Sequence, residues 1–207
     1  MLASLIQSGG PAMYPILAIS VAGVAVILER AYYFLTHERH DGELLIKHLE
    51  EYIQKGDKEG AIEVCSKFKN TSSKVMEVIL KNYQICDIKG CNFEFLEEKA
   101  RECSLKQLPK LEKNMWILGI AANVTPLLGL LGTVAGMIGA FKAIATHGTG
   151  DPTVLAYGIS QALVTTASGL TVAIPALIFY NYYQKKIEKS MMDMETNVVE
   201  FINFLRQ

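Results

Sequence analysis

The chain has 207 residues, 50% of them hydrophobic and 20% charged, with a formal net charge of −1. Averages of this kind suit one domain-sized unit, and the absence of a basic patch excludes a nucleic-acid binder. The charge is segregated: Met1 to Leu28, Met115 to Phe141 and Pro152 to Gln184 carry none, whereas Asp41 to Lys113 is dense in it.

The first uncharged run predicts a membrane helix from about Met13, within a unit of residues 1–35 that includes the tail before it. A bilayer core takes about 20 apolar residues as a helix. No Lys or Arg precedes the apolar part, so a signal peptide, which begins with a basic region, is not expected. Glu29 lies near the end of this run beside Arg30, where pairing or snorkelling towards the interface is its expected fate.

Residues 36–113 predict a small helical bundle. Leu44, Leu45, His48, Leu49, Tyr52 and Ile53 recur at helical spacing, and Gly56-Asp57 supplies a stop and then an N-cap for Ala61 to Phe68. Asn70, Thr71 and Ser72 start the next helix, through Val75, Met76, Ile79, Leu80 and Tyr83. Asn92 is placed to cap a further helix through Leu96, Ala100, Cys103, Leu108 and Leu111, in which Pro109 is a candidate kink. Cys65, Cys86, Cys91 and Cys103 all fall here, without a C-x-x-C spacing, and read as buried structural thiols.

Residues 114–146 predict the second membrane helix, 147–152 a turn, 153–184 the third membrane helix and 185–207 its helical continuation. In that continuation Ile187, Met191, Met194, Val198, Ile202 and Leu205 form a stripe among charges. A helix from Thr153 to Leu205 would be roughly 80 Å long, well beyond a bilayer core of about 30 Å, so its second half must leave the membrane. There it can pack on the bundle or on a copy of itself. The fold class is an all-α membrane protein with three transmembrane helices, long cytoplasmic extensions and a small cytoplasmic bundle.

Lys and Arg favour the cytoplasmic ends of spans. Arg30, Arg39, Lys106, Lys110, Lys113, Lys185, Lys186 and Lys189 mark one side, and the opposite ends have only Lys142 nearby. The expected orientation puts the amino terminus outside and the carboxyl terminus inside, with residues 36–113 and 185–207 cytoplasmic.

The second span carries Gly129, Gly132, Gly136, Gly139 and Ala140 at spacings of three and four, a face that lets another helix backbone come close. Polar groups gather where lipid would penalise them: Asn123, Thr125 and Thr133, then Ser160, Gln161, Thr165, Thr166, Ser168 and Thr171. Singly, such hydroxyls bond their own helix carbonyls. As a group they suit a watered or partner-facing interior. Pro126 and Pro175 are candidate kinks that free carbonyls inside the spans. Between Lys113 and Glu188 the only carboxylate is Asp151, in the turn.

The stretches TPLLGLLGTVAGMIGAF (Thr125 to Phe141) and GISQALVTTASGLTVAIPALIFYNYY (Gly158 to Tyr183), with the weaker LER (Leu28 to Arg30), resemble the MotA/TolQ/ExbB family of proton-channel proteins. The match is to its three-span ExbB/TolQ branch, nearer ExbB than TolQ. The resemblance implies a bacterial inner-membrane homo-oligomer, a pentameric ring, whose second and third spans enclose an ExbD/TolR-like single-span partner. It further implies that the partner's membrane aspartate carries protons, and that the proton motive force so harnessed energises a TonB- or TolA-like protein acting at the outer membrane. Thr133 in LLGTV and Thr166 in TTASGL match the family's pore threonines. The position that is often glutamate in GIxEAL is Gln161 here; Gln donates and accepts hydrogen bonds but does not titrate.

The competing reading is a passive membrane scaffold or a solute channel, in which the small-residue face only closes a ring. No enzyme, cofactor or metal site is expected. His37-Glu38-Arg39-His40 is one residue short of H-E-x-x-H, no His lies in the last two spans to activate Ser168, and the chain lacks a phosphate-binding G-x-x-x-x-G-K-[ST] loop.

Overall fold

The computed structural model describes residues 9–38, 42–68, 70–89, 93–147 and 152–206. The cap expected at Asn92, the Cys91 thiol, Arg39 and His40 of the H-E-R-H stretch, and Asp151 lie outside the described residues, as does the Cys86 side chain. The described residues are helical throughout, with no strand: α1 (Met13–Thr36), α2 (Gly42–Gln54), α3 (Lys58–Lys67), α4 (Thr71–Lys89), α5 (Phe93–Leu111), α6 (Met115–His147) and α7 (Pro152–Leu205). Of these, α1, α6 and α7 are long and apolar enough to cross a membrane.

The helix boundaries have local causes. Gly56 takes φ +76°, which ends α2, and Asp57 caps α3 by accepting from Gly60 N at 2.9 Å. Asn70 Oδ1 accepts from Ser73 N at 2.9 Å and starts α4. Helix α5 runs through Pro109 without ending; the break comes at Glu112–Asn114, where Asn114 adopts φ 61°, a conformation its short polar side chain tolerates.

The chain divides into two compact units, Met1–Glu29 with Asn114–Tyr182, and Arg30–Lys113 with Tyr183–Gln207. In the second unit α2 to α5 pack each on the next, around Leu45, Leu49, Met76, Ile79, Leu80 and Leu96. The end of α7 completes this core: Met194, Phe201 and Ile202 are 0–1% exposed within it. Of the two partners open to the predicted stripe, the bundle is the one it covers.

Arg30 is 2% exposed, and its Nη1 donates to the carbonyls of Lys110 and Leu111 at 3.2 and 3.3 Å. Those carbonyls belong to the last turn of α5, which has no onward helical partner for them, so a buried guanidinium closes that helix end. Its charge also lies 4.8 Å over the Tyr33 ring. In the first unit Glu29 Oε2 accepts from Asn114 Nδ2 at 2.7 Å.

The cysteines divide too. Cys65 is a buried core thiol whose pKa burial pushes up to about 12, whereas Cys103 is only half-buried. Both are free thiols.

Candidate functional site

The spans α6 and α7 meet along a seam of small residues. A Cβ added at Gly129 would lie 3.0 Å from Thr166 Cα and 3.2 Å from Thr165 O. One added at Gly136 would lie 3.2 Å from Ala162 Cβ, and one at Gly169 2.6 Å from Thr125 O. Gly132 faces the Thr165 side chain, and Gly158 sits against Ala140, 2.5 Å from where its own Cβ would stand. As numbers rise on α6 their partners fall on α7, so the two helices run antiparallel at backbone contact. Such an approach is open only where side chains are absent or minimal. Gly139 does not share the packing expected of it: a Cβ there meets nothing within 4 Å.

Most of the span hydroxyls make the bond back to their own helix. Thr125 donates to Ala121 O at 2.6 Å, Thr133 to Leu130 O at 2.6 Å, Ser168 to Val164 O at 2.8 Å and Thr171 to Ala167 O at 2.8 Å. Two reach further. Thr166 Oγ1 donates across the seam to Gly129 O at 3.1 Å. Thr165, 0% exposed, divides its hydroxyl between Gln161 O at 2.8 Å and Gly9 O at 2.9 Å.

The Thr165 bond brings the chain ahead of α1 onto α7. Gly10 follows with φ +70°, and a Cβ there would meet Gln161 Nε2 at 2.5 Å. Gln161 also lines an open cleft of about 350 Å³, with Gly9, Gly132, Gly136, Gly139 and Ala140. The fold therefore gathers Gln161 with the small-residue stripe, keeps Thr166 in the seam with Gly129, and leaves Thr133 outside that cleft. Thr165, named from the sequence only as one of the span's polar residues, is the hydroxyl that ties α7 to the chain ahead of α1. Its signal was the Gly9-Gly10 pair, which marks a backbone turn free to approach another helix.

Pro126 and Pro175 lie inside unbroken helices. No group of three His, Cys, Asp or Glu side chains placed to hold a metal occurs among the described residues. Glu38 of the H-E-R-H stretch is engaged otherwise, accepting from Thr71 N at 3.2 Å and from the Thr71 hydroxyl.

Comparison with known proteins places these observations. The signature of the MotA/TolQ/ExbB proton channel family matches residues 67–196. An ExbB homologue from Methanothermobacter thermautotrophicus is 29% identical over 191 residues, 92% of this chain and 66% of that protein. An ExbB-like protein from Synechocystis sp. is 28% identical over 95% of this chain and 92% of its own length. The Tol-Pal system protein TolQ of Haemophilus influenzae is 33% identical over 49% of this chain and 45% of its own length. The chain thus spans just under two thirds of the first relative, under half of the third and nearly all of the second.

Proposed function

The chain belongs to the MotA/TolQ/ExbB proton channel family, and on that premise we propose that it is the channel subunit of a proton-driven motor in the bacterial inner membrane. An ExbD/TolR-like single-span partner supplies the titrating carboxylate, and the motion is passed to a TonB- or TolA-like protein acting at the outer membrane. The subunit works as a ring of copies, a pentamer, with its amino terminus periplasmic and residues 36–113 and 185–207 cytoplasmic.

One observation carries this reading: a polar, tightly packed pair of spans that contains no carboxylate of its own. The Lys113 to Glu188 stretch holds only Asp151, outside both membrane runs. A proton crossing the hydrocarbon needs a titratable or hydrogen-bonding relay, because unpaired charge there is costly. Thr133 and Thr166 spend their O–H donors on Leu130 O and Gly129 O. Each hydroxyl oxygen keeps acceptor capacity, which suits receiving a hydrogen bond from a protonated carboxyl on a partner helix. Gln161, at the cleft, orients water or that helix without titrating.

The test is copurification with a short single-span protein bearing a membrane Asp, followed by proton-driven uptake in Thr133→Val, Thr166→Val and Gln161→Leu variants. Loss of uptake with the assembly intact is expected. Full uptake in all three would sink the proposed roles.

A further inference from the structure

Gln161 is a long side chain at the edge of an open cleft, free by its chemistry to sample many rotamers. An amide that must meet water or a partner helix in one direction works best when something fixes that direction beforehand. The chain ahead of α1 is placed to do so. Gly9, Pro11 and Ala12 form one wall of the cleft, within the same unit as Gln161.

This strap of residues 9–12 is held at both ends. Gly9 O accepts from Thr165 Oγ1 at 2.9 Å, and the strap then enters α1 through Met13 N donating to Gly10 O at 3.1 Å and Tyr14 N to Pro11 O at 3.3 Å. Met13 and Ile16, just beyond, are buried. Between the two anchors Gly10 takes φ +70° and lies directly against the Gln161 amide, where a Cβ would stand 2.5 Å from Nε2. Position 10 therefore needs glycine twice, once for its backbone and once for the room it leaves Gln161.

Thr165 does not need the strap for its own sake. Its hydroxyl also donates to Gln161 O at 2.8 Å, the bond back to the same helix that satisfies Thr125, Ser168 and Thr171. What the further bond to Gly9 decides is where the strap lies. One helical turn separates Thr165 from Gln161, so the anchor sets the strap beside that side chain. Resting on the assignment of Gln161 to the proton path, we propose that Thr165 is a positioning residue: it moors the strap, and Gly10 then holds the Gln161 amide towards the water or partner helix that it meets.

Proton-driven uptake, measured beside partner copurification and detergent melting of the full chain, tests this. Thr165→Val, which leaves Gly9 O without its donor, and Gly10→Ala, which crowds Gln161 and leaves Thr165 intact, should each slow uptake about tenfold with the assembly retained. Thr165→Ser keeps the hydroxyl and should retain most of the rate. The Gly10→Ala effect should vanish in a Gln161→Asn background, where the amide is one methylene shorter and stops short of the strap. Ile79→Val, a core deletion in the other unit, should lower melting and spare uptake, which separates positioning from stability. Should Thr165→Val fail to assemble, Gly10→Ala carries the test by itself. Wild-type uptake in Gly10→Ala, or the same proportional loss in the parent and Gln161→Asn backgrounds, would overturn the inference alone, provided that Gln161→Leu abolishes uptake. Full uptake in Gln161→Leu would instead overturn the role of Gln161, and this inference with it.

Discussion

The Thr166 hydroxyl donates to the carbonyl of Gly129 at 3.1 Å, joining the two apolar spans at a point where a Cβ on Gly129 would lie 3.0 Å from Thr166 Cα. The residue that family resemblance marks as pore-facing is thus also a clamp in the helix seam. Substitutions there test packing and conduction together, so measurements that separate them are needed.

Glycine replacement along the stripe separates seam from surface. Gly129→Val is expected to destabilise the spans by about 1–3 kcal/mol, because an added side chain meets backbone that cannot yield. Gly139→Ala, which meets nothing within 4 Å, should be near neutral in the same detergent melting experiment. Equal effects at both positions would contradict the seam described above.

Thr165→Val keeps the shape of the side chain but removes a buried donor. The Gly9 carbonyl would lose the bond it accepts at 2.9 Å, a loss of about 1–3 kcal/mol. Thr171→Val, exposed and bonded only within its own helix, provides the control and should change melting by a few tenths.

Arg30→Lys tests the closure of α5. A lysine keeps the charge but lacks the planar guanidinium that lies over the Tyr33 ring and aims Nη1 at both carbonyls, so the exchange is not conservative here. Faster amide hydrogen exchange near the end of α5, with stability lower by about 2 kcal/mol, is the expected outcome. Unchanged exchange there would show that the bonds to Lys110 and Leu111 do not hold the helix end.

Cys65 provides a pH dependence with a definite sign. Burial raises its pKa from 9.0 to about 12, so the unfolded chain releases this proton first. Between about pH 9 and 12 the native state binds more protons than the unfolded one, and stability falls as pH rises. Below pH 9 the thiol contributes no slope. Thiol labelling at pH 8 should modify Cys103 readily and Cys65 only on unfolding; comparable rates would refute the buried assignment.

The sequence by itself determined whatever rests on local chemistry. Uncharged runs of spanning length located α1, α6 and α7, and Gly56-Asp57 and Asn70 marked helix ends through backbone and capping preferences that act within a few residues. The lack of a span carboxylate is likewise a property of the string alone. Only the tertiary structure decided which faces meet. Helical periodicity showed that Met194, Ile202 and their neighbours form a stripe, but not that the bundle core would receive it. It put Gly139 on the same stripe as Gly136, though Ala140 is the residue that packs on Gly158 and a Cβ at Gly139 meets nothing within 4 Å. Nor did it reveal that Arg30 closes α5 across 80 positions, or that Thr165 holds Gly9 across 156. The physical reason is common to all four: periodicity gives each helix its faces, and burial against distant neighbours chooses among them.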